Sequence, residues 1–88
     1  MKNIVPILSV TGSDSTGGSG IQADVKTIFS LGGYAVTAIT AITVQNSKRI
    51  VSFENIPAAL VVSQVRSVFE EVRPKAVKIG LLNAKKPS

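Results

Sequence analysis

Apolar residues run almost without interruption over positions 4–10 and stop at a polar, glycine-rich stretch, 11–20. A Val/Ile/Leu-rich run opening into such a segment predicts a buried strand feeding a loop. Pro6 suits the beginning of that strand or an edge position. From Ile21 the period changes: Ile21, Val25, Ile28 and Phe29 fall at helical spacing, with Gly32-Gly33 as a C-terminal stop. Residues 35–44 mix β-branched side chains with alanine in a nearly continuous apolar run, the pattern of a strand covered on both faces. Residues 48–54 read as a short exposed extension. Pro57 then opens a second helix with Val61, Val65, Val68, Phe69 and Val72 on one side, and Pro74 ends it. Residues 76–79 form a short strand that breaks at Gly80. The order strand, helix, strand, helix, strand is that of a parallel α/β unit. Ligands of open α/β sheets sit beyond the carboxyl ends of the strands, so segments 11–20, 43–46 and 80–83 are expected to converge on one rim.

Composition narrows the chemistry. The 88 residues, 44% hydrophobic, suffice for one small core, one domain or part of one. A net charge of +5 raises the question of nucleic acid, but the ten Lys and Arg are scattered, and one Tyr and three Phe are few for stacking on bases. No nucleic-acid partner is expected. The absence of Cys and His removes disulfides, thiolate metal sites and imidazole bases from these residues. No stretch approaches the roughly 18 apolar residues of a membrane span, and residues 4–10 lack a signal peptide's longer apolar region and cleavage site. No membrane partner and a cytoplasmic location are expected.

The glycine-rich segment admits three chemistries. A phosphate-binding loop needs G-x-x-x-x-G-K-[ST]; Gly12, Gly17 and Ser19 match, but Gly18 stands where the lysine must be. A dinucleotide fingerprint is nearly met by Gly18-Ser19-Gly20-Ile21-Gln22-Ala23, without the acidic ribose partner about 20 residues on. The simplest reading is a tight turn with Ser19 or Thr16 helping to cap the helix.

The third chemistry comes from likeness. Thr11-Gly12-Ser13-Asp14-Ser15-Thr16-Gly17-Gly18-Ser19-Gly20-Ile21-Gln22-Ala23-Asp24 resembles the opening signature of hydroxymethylpyrimidine kinases, within the ribokinase-like superfamily. The resemblance continues through Lys26-Thr27, Leu31-Gly32-Gly33-Tyr34, Ile39-Thr40-Ala41, Gln45-Asn46 and Val77-Lys78-Ile79-Gly80-Leu81-Leu82. It implies an α/β, ribokinase-like fold: a partial three-layer α/β/α arrangement with a mainly parallel sheet. Residues 1–88 then form the N-terminal part of a single, truncated kinase domain.

The same resemblance implies a pocket for an aminopyrimidine, with Gln45 hydrogen-bonding the edge of the ring. A carboxamide suits that edge, because it accepts from the exocyclic amino group while donating to a neighbouring ring nitrogen. The ordinary fate of such a residue is an exposed loop amide. Gly12 would let substrate approach the backbone, Ser19 would line the pocket, and Val44 and Leu81 would contact the ring, Leu81 standing where the family usually has methionine. Asp24 is expected in the first turn of the first helix, either favoured there by the helix dipole or acting near the substrate hydroxyl. Asp14 reads as an Asx-turn residue, and Lys78 as a solvated charge or a bias of the rim toward phosphate.

The activity implied is transfer of the γ-phosphate of ATP, with Mg²⁺, to 4-amino-5-hydroxymethyl-2-methylpyrimidine and then to its monophosphate. The family's C-terminal anion hole and cysteine base have no counterpart in these residues, so no catalytic residue and no independent turnover are expected. A homo-oligomer would cover exposed apolar faces. The alternatives are a pyridoxal or pyridoxine kinase, and a non-enzymatic pyrimidine-binding module.

Overall fold

The computed structural model describes residues 4–80. Six elements follow one another: β1 (Val5–Asp14), α1 (Gly20–Ser30), β2 (Gly33–Gln45), β3 (Ile50–Asn55), α2 (Ala58–Glu71) and β4 (Ala76–Ile79). They build one four-stranded sheet in the order β3-β2-β1-β4. β1 pairs in parallel with β2 and β4, whereas β3 runs antiparallel to β2. The sheet is therefore mainly parallel, as expected.

Alternation along β1 assigns the layers. Leu8 and Val10 are buried with Ala38 and packed by Val61, Val65 and Val68 of α2. Ser9, on the opposite side of the strand, donates to Asp24 of α1. The two helices thus cover opposite faces of the sheet, which gives three layers.

Pro6 is the second residue of β1, at the strand's beginning as expected. The Lys75 N–H donates to the Pro6 carbonyl at 2.8 Å, one residue ahead of the first β1–β4 pair, Ile7↔Ala76. The absent proline N–H points to that same side and so removes no bond from the ladder. α1 closes as expected: the Gly32 N–H donates to the Phe29 carbonyl at 3.0 Å, and Gly32 adopts the left-handed φ of 88° that ends many helices.

Four expectations are corrected. β1 continues through Asp14, because residues 11–14, read as loop, still find partners on β2 as far as Asp14↔Thr43. Where an exposed extension is expected at residues 48–54, residues 50–55 form a strand paired with Ala41–Gln45. Pro57 is the N-cap of α2, with φ −55° and ψ 142°, and not its first helical residue. The apolar stripe of α1 is narrower than its spacing predicts: Ile21 and Ile28 are buried, while Phe29 is 78% exposed. Two turns separate Ile21 from Ile28, so they share one line along the helix, and Phe29 lies about 100° around from it.

Candidate functional site

The glycine-rich loop is organised by a carboxylate. Asp14, at the end of β1, is 4% exposed. Its Oδ1 accepts from the Thr16 N–H (2.9 Å) and hydroxyl (2.8 Å), and its Oδ2 from the Ser19 N–H and hydroxyl, both at 2.8 Å. The Thr16 N–H bond is the Asx turn expected of Asp14; the Ser19 bonds extend it around the loop. These donors, the Thr16 N–H foremost, lower the Asp14 pKa from 3.8 to about 2. Ser19 is the N-cap of α1, yet its side chain makes no capping bond because the hydroxyl is given to Asp14. The expected Ser19 or Thr16 cap is therefore replaced by a carboxylate that gathers both hydroxyls.

Gln22 secures the other side of the loop. Its Oε1 accepts from the Asp14 N–H at 2.8 Å, and its Nε2 donates to the Ser13 hydroxyl at 2.9 Å. Gly20 closes the loop onto the strand: it has φ +64°, and a Cβ there would overlap the Gly12 carbonyl oxygen. Gly12 itself is buried beneath that contact.

The end of β2 is tied to the loop at its backbone. The Ser15 hydroxyl donates to the Gln45 carbonyl at 2.7 Å and accepts from the Gln45 N–H at 3.0 Å. Next to it, the Thr43 hydroxyl donates to the Ser13 carbonyl at 2.7 Å. Beyond the strand, the Asn46 Oδ1 accepts from the Lys48 and Arg49 N–H groups at 2.8 and 3.2 Å, folding the chain back toward β3. Gln45 is half-buried and Val44 is 51% exposed. The β2–β3 register steps from Val44↔Ser52 to Gln45↔Ile50 between them.

The structure thus brings Gly12, Ser19, Val44 and Gln45 to one rim, together with Asp14 and Ser15. Gly80 reaches the same sheet end, its N–H donating to the Val10 carbonyl at 2.8 Å. Leu81 and the rest of segment 81–83 lie outside the described residues.

Asp24 is held elsewhere. It lies in the second turn of α1, which has no acidic residue in its first turn, so the helix-dipole reading is corrected. Its Oδ2 accepts from the hydroxyl of fully buried Ser9 at 2.6 Å, and Lys78 Nζ lies 2.9 Å from Oδ1 and 3.1 Å from Oδ2. Burial raises the Asp24 pKa, and the Ser9 hydroxyl and the Lys78 ammonium outweigh it, so the net shift is downward. Lys78, expected as a solvated charge, keeps a side chain that is 60% exposed and adds an ion pair spanning β4 and α1.

Sequence reading assigns no role to Ser15 or Gln22, which stand inside the quoted signature, or to Gln64 of α2, whose carboxamide binds the Ile39 backbone.

No cluster of three or more acidic or other metal-ligating side chains occurs among the described residues. The Thr16 and Ser19 N–H groups that an anion would use already bind Asp14. Among the described residues no helix is long and apolar enough to cross a membrane.

Residues 14–87 match the family model described as Phosphomethylpyrimidine kinase. The chain belongs to the phosphomethylpyrimidine kinase family. It is 49% identical over 76 residues to the hydroxymethylpyrimidine/phosphomethylpyrimidine kinase of Rhizobium meliloti (strain 1021), covering 86% of this chain and 29% of that protein. The enzyme of the same name from Mycobacterium leprae (strain TN) is 46% identical, with 86% and 27% covered. The chain thus spans less than a third of these family members. Among solved structures, the phosphomethylpyrimidine kinase of Clostridium difficile 630 superimposes with a TM-score of 0.86 at 45% identity, covering 91% of this chain and 37% of that one. The pyridoxal kinase of Staphylococcus aureus in complex with AMP-PCP and pyridoxal gives 0.82 at 29% identity, covering 93% and 30%. The sheet and both helices are those of the ribokinase-like kinases, as the resemblance implied.

Proposed function

We propose that this chain supplies the ring-recognition part of a kinase that uses ATP and Mg²⁺ to phosphorylate 4-amino-5-hydroxymethyl-2-methylpyrimidine and its monophosphate, in the cytoplasm. The observation that carries the proposal is the bracing of Gln45. Ser15 takes up its backbone N–H and carbonyl, while its carboxamide makes no hydrogen bond to another described residue. An amide held at the backbone and free at its tip can accept from a 4-amino group and donate to the adjacent ring nitrogen. Val44, the neighbouring residue on the strand, is proposed as an apolar contact, and Gly12 and Ser19 as the glycine-rich loop's contribution to the pocket. Leu81 is proposed as a second apolar contact, and Asp24 as a polar residue acting behind the pocket through its Ser9 and Lys78 partners.

Isothermal titration of the chain with this pyrimidine tests the proposal, with Gln45→Ala and with pyridoxal as comparisons. Loss of two neutral hydrogen bonds predicts that Gln45→Ala weakens binding roughly 10- to 100-fold. Equal affinity of the variant would overturn the assignment. The likeness to a pyridoxal kinase supports a second reading, in which a phenolic pyridine occupies the rim, and preference for pyridoxal would establish it.

A further inference from the structure

β1 and β2 stay in register up to Thr11↔Ile39, and the next pair after the shift is Ser13↔Ile42. Gly12 therefore faces two residues, Thr40 and Ala41, and the extra residue belongs to β2. Such a bulge changes which side chains face which side of the sheet, because one residue is half the strand period. Burial records the change. Ala38 and Thr40 are buried, then Ala41 is buried directly after Thr40, and beyond it Thr43 and Gln45 are half-buried while Ile42 and Val44 are exposed. Covered positions pass from even to odd numbers at the bulge.

Next to the bulge, the β2 edge away from β1 needs partners where β3 stops, and here they are met by a side chain from another layer. β3 reaches only as far as Ala41↔Asn55, so Ile39 lies beyond its last pair. Gln64 of α2 fills that place: its Oε1 accepts from the Ile39 N–H and its Nε2 donates to the Ile39 carbonyl, both at 2.9 Å. One carboxamide thus does what a residue of a neighbouring strand would do. The Ile56 N–H donates to the Thr40 carbonyl at 2.9 Å and completes the closure.

We infer that Gln64 is a positioning residue that locks the β2 bulge in its phase and so fixes how Val44 and Gln45 are presented at the rim. A carboxamide of this length can accept from the N–H and donate to the carbonyl of one residue at once. A glutamate keeps the acceptor and sets an oxygen against the Ile39 carbonyl; a methionine of similar length offers neither bond.

The test is amide hydrogen exchange and backbone NMR of the 88-residue chain and its Gln64→Met and Gln64→Glu variants, with pyrimidine titration alongside. Gln64→Met is expected to speed exchange at Ile39 about tenfold, leave Leu8 in the core protected, and shift the resonances of residues 42–45. Gln64→Glu is expected to do the same, and it decides the question if Gln64→Met fails to fold. Pyrimidine affinity should fall about tenfold in each folded variant. Unchanged resonances at Val44 and Gln45 in a folded variant would overturn the inference. The affinity arm rests on the pyrimidine-pocket reading, whereas exchange and chemical shifts do not. A chain that binds no pyrimidine yet shows the shifts refutes that reading and upholds the role of Gln64.

Discussion

Gly20→Ala is expected to be among the most damaging single-methyl additions in the chain, and a second glycine supplies its control. Gly20 has φ +64° and an added Cβ would overlap the Gly12 carbonyl oxygen, with the carbonyl carbon at 3.3 Å. Gly32 has φ +88° with nothing within 4 Å of its Cβ position. Alanine at Gly32 therefore carries only the left-handed backbone cost, about 1–2 kcal/mol. Alanine at Gly20 adds displacement of a buried strand carbonyl, for a total of about 2–5 kcal/mol. Neither the strand nor the helix can yield cheaply, because Asp14 and Gln22 bind the two together immediately beyond the contact. Urea titration followed by far-UV circular dichroism measures both variants. With a slope of about 1 kcal/mol per molar for a chain of this size, Gly32→Ala should lower the midpoint by about 1–2 M, and Gly20→Ala by at least about 1 M more. Midpoints within about 0.3 M of each other would refute the claim that the close approach of loop and strand, and not φ alone, requires glycine at position 20.

Two further outcomes concern the carboxylates. Asp24→Ala leaves the hydroxyl of fully buried Ser9 without its acceptor and should cost about 1–3 kcal/mol. Lys78→Met removes an ion pair whose lysine side chain is 60% exposed and should cost no more than about 0.2–1 kcal/mol in the same denaturation assay; the reverse ranking would refute the assignment of Ser9 as the chief partner. Asp14 has a folded pKa of about 2 against an ordinary 3.8, so its contribution is complete above pH 3.8 and vanishes as pH falls toward 2. Asp14→Asn should therefore be less stable than the parent at neutral pH, with the gap closing over that window; a constant gap in acid titrations would show that the carboxylate charge is not what holds the loop.

The elements most legible in the sequence were those whose burial is periodic. Leu8 and Val10 on β1, and Val61, Val65 and Val68 on α2, meet in the core where their spacing placed them. β3 was missed because its exposed pattern, with Ile50, Val51, Ser52 and Glu54 all facing solvent, lacks the alternation that marks a half-buried strand. The end of β1 was missed because Gly12, Ser13 and Asp14 are turn formers by composition, and only pairing with β2 holds them extended. At the rim, Gln45 is singled out by the family signature as a proposal, and Asp14 by its local turn, which the structure shows. The Ser15–Gln45 and Gln64–Ile39 contacts join residues 30 and 25 positions apart, and no local pattern encodes which distant backbone group a side chain will meet.

The placement of β1 at the centre of the sheet has a consequence for how the chain assembles. Its first residues pair with Gly33 and Tyr34, and its other edge is met by Lys75, Ala76 and the residues after them. During synthesis at about 5–20 residues per second, β1 emerges several seconds before β4 and must wait with one edge bare. The β1–α1–β2 unit, local and right for early closure, is the nucleus this order favours, with β4 joining last across the longest loop. Slow or paused translation between residues 45 and 76 would lengthen that wait and raise the chance that the bare edge of β1 pairs with another nascent chain.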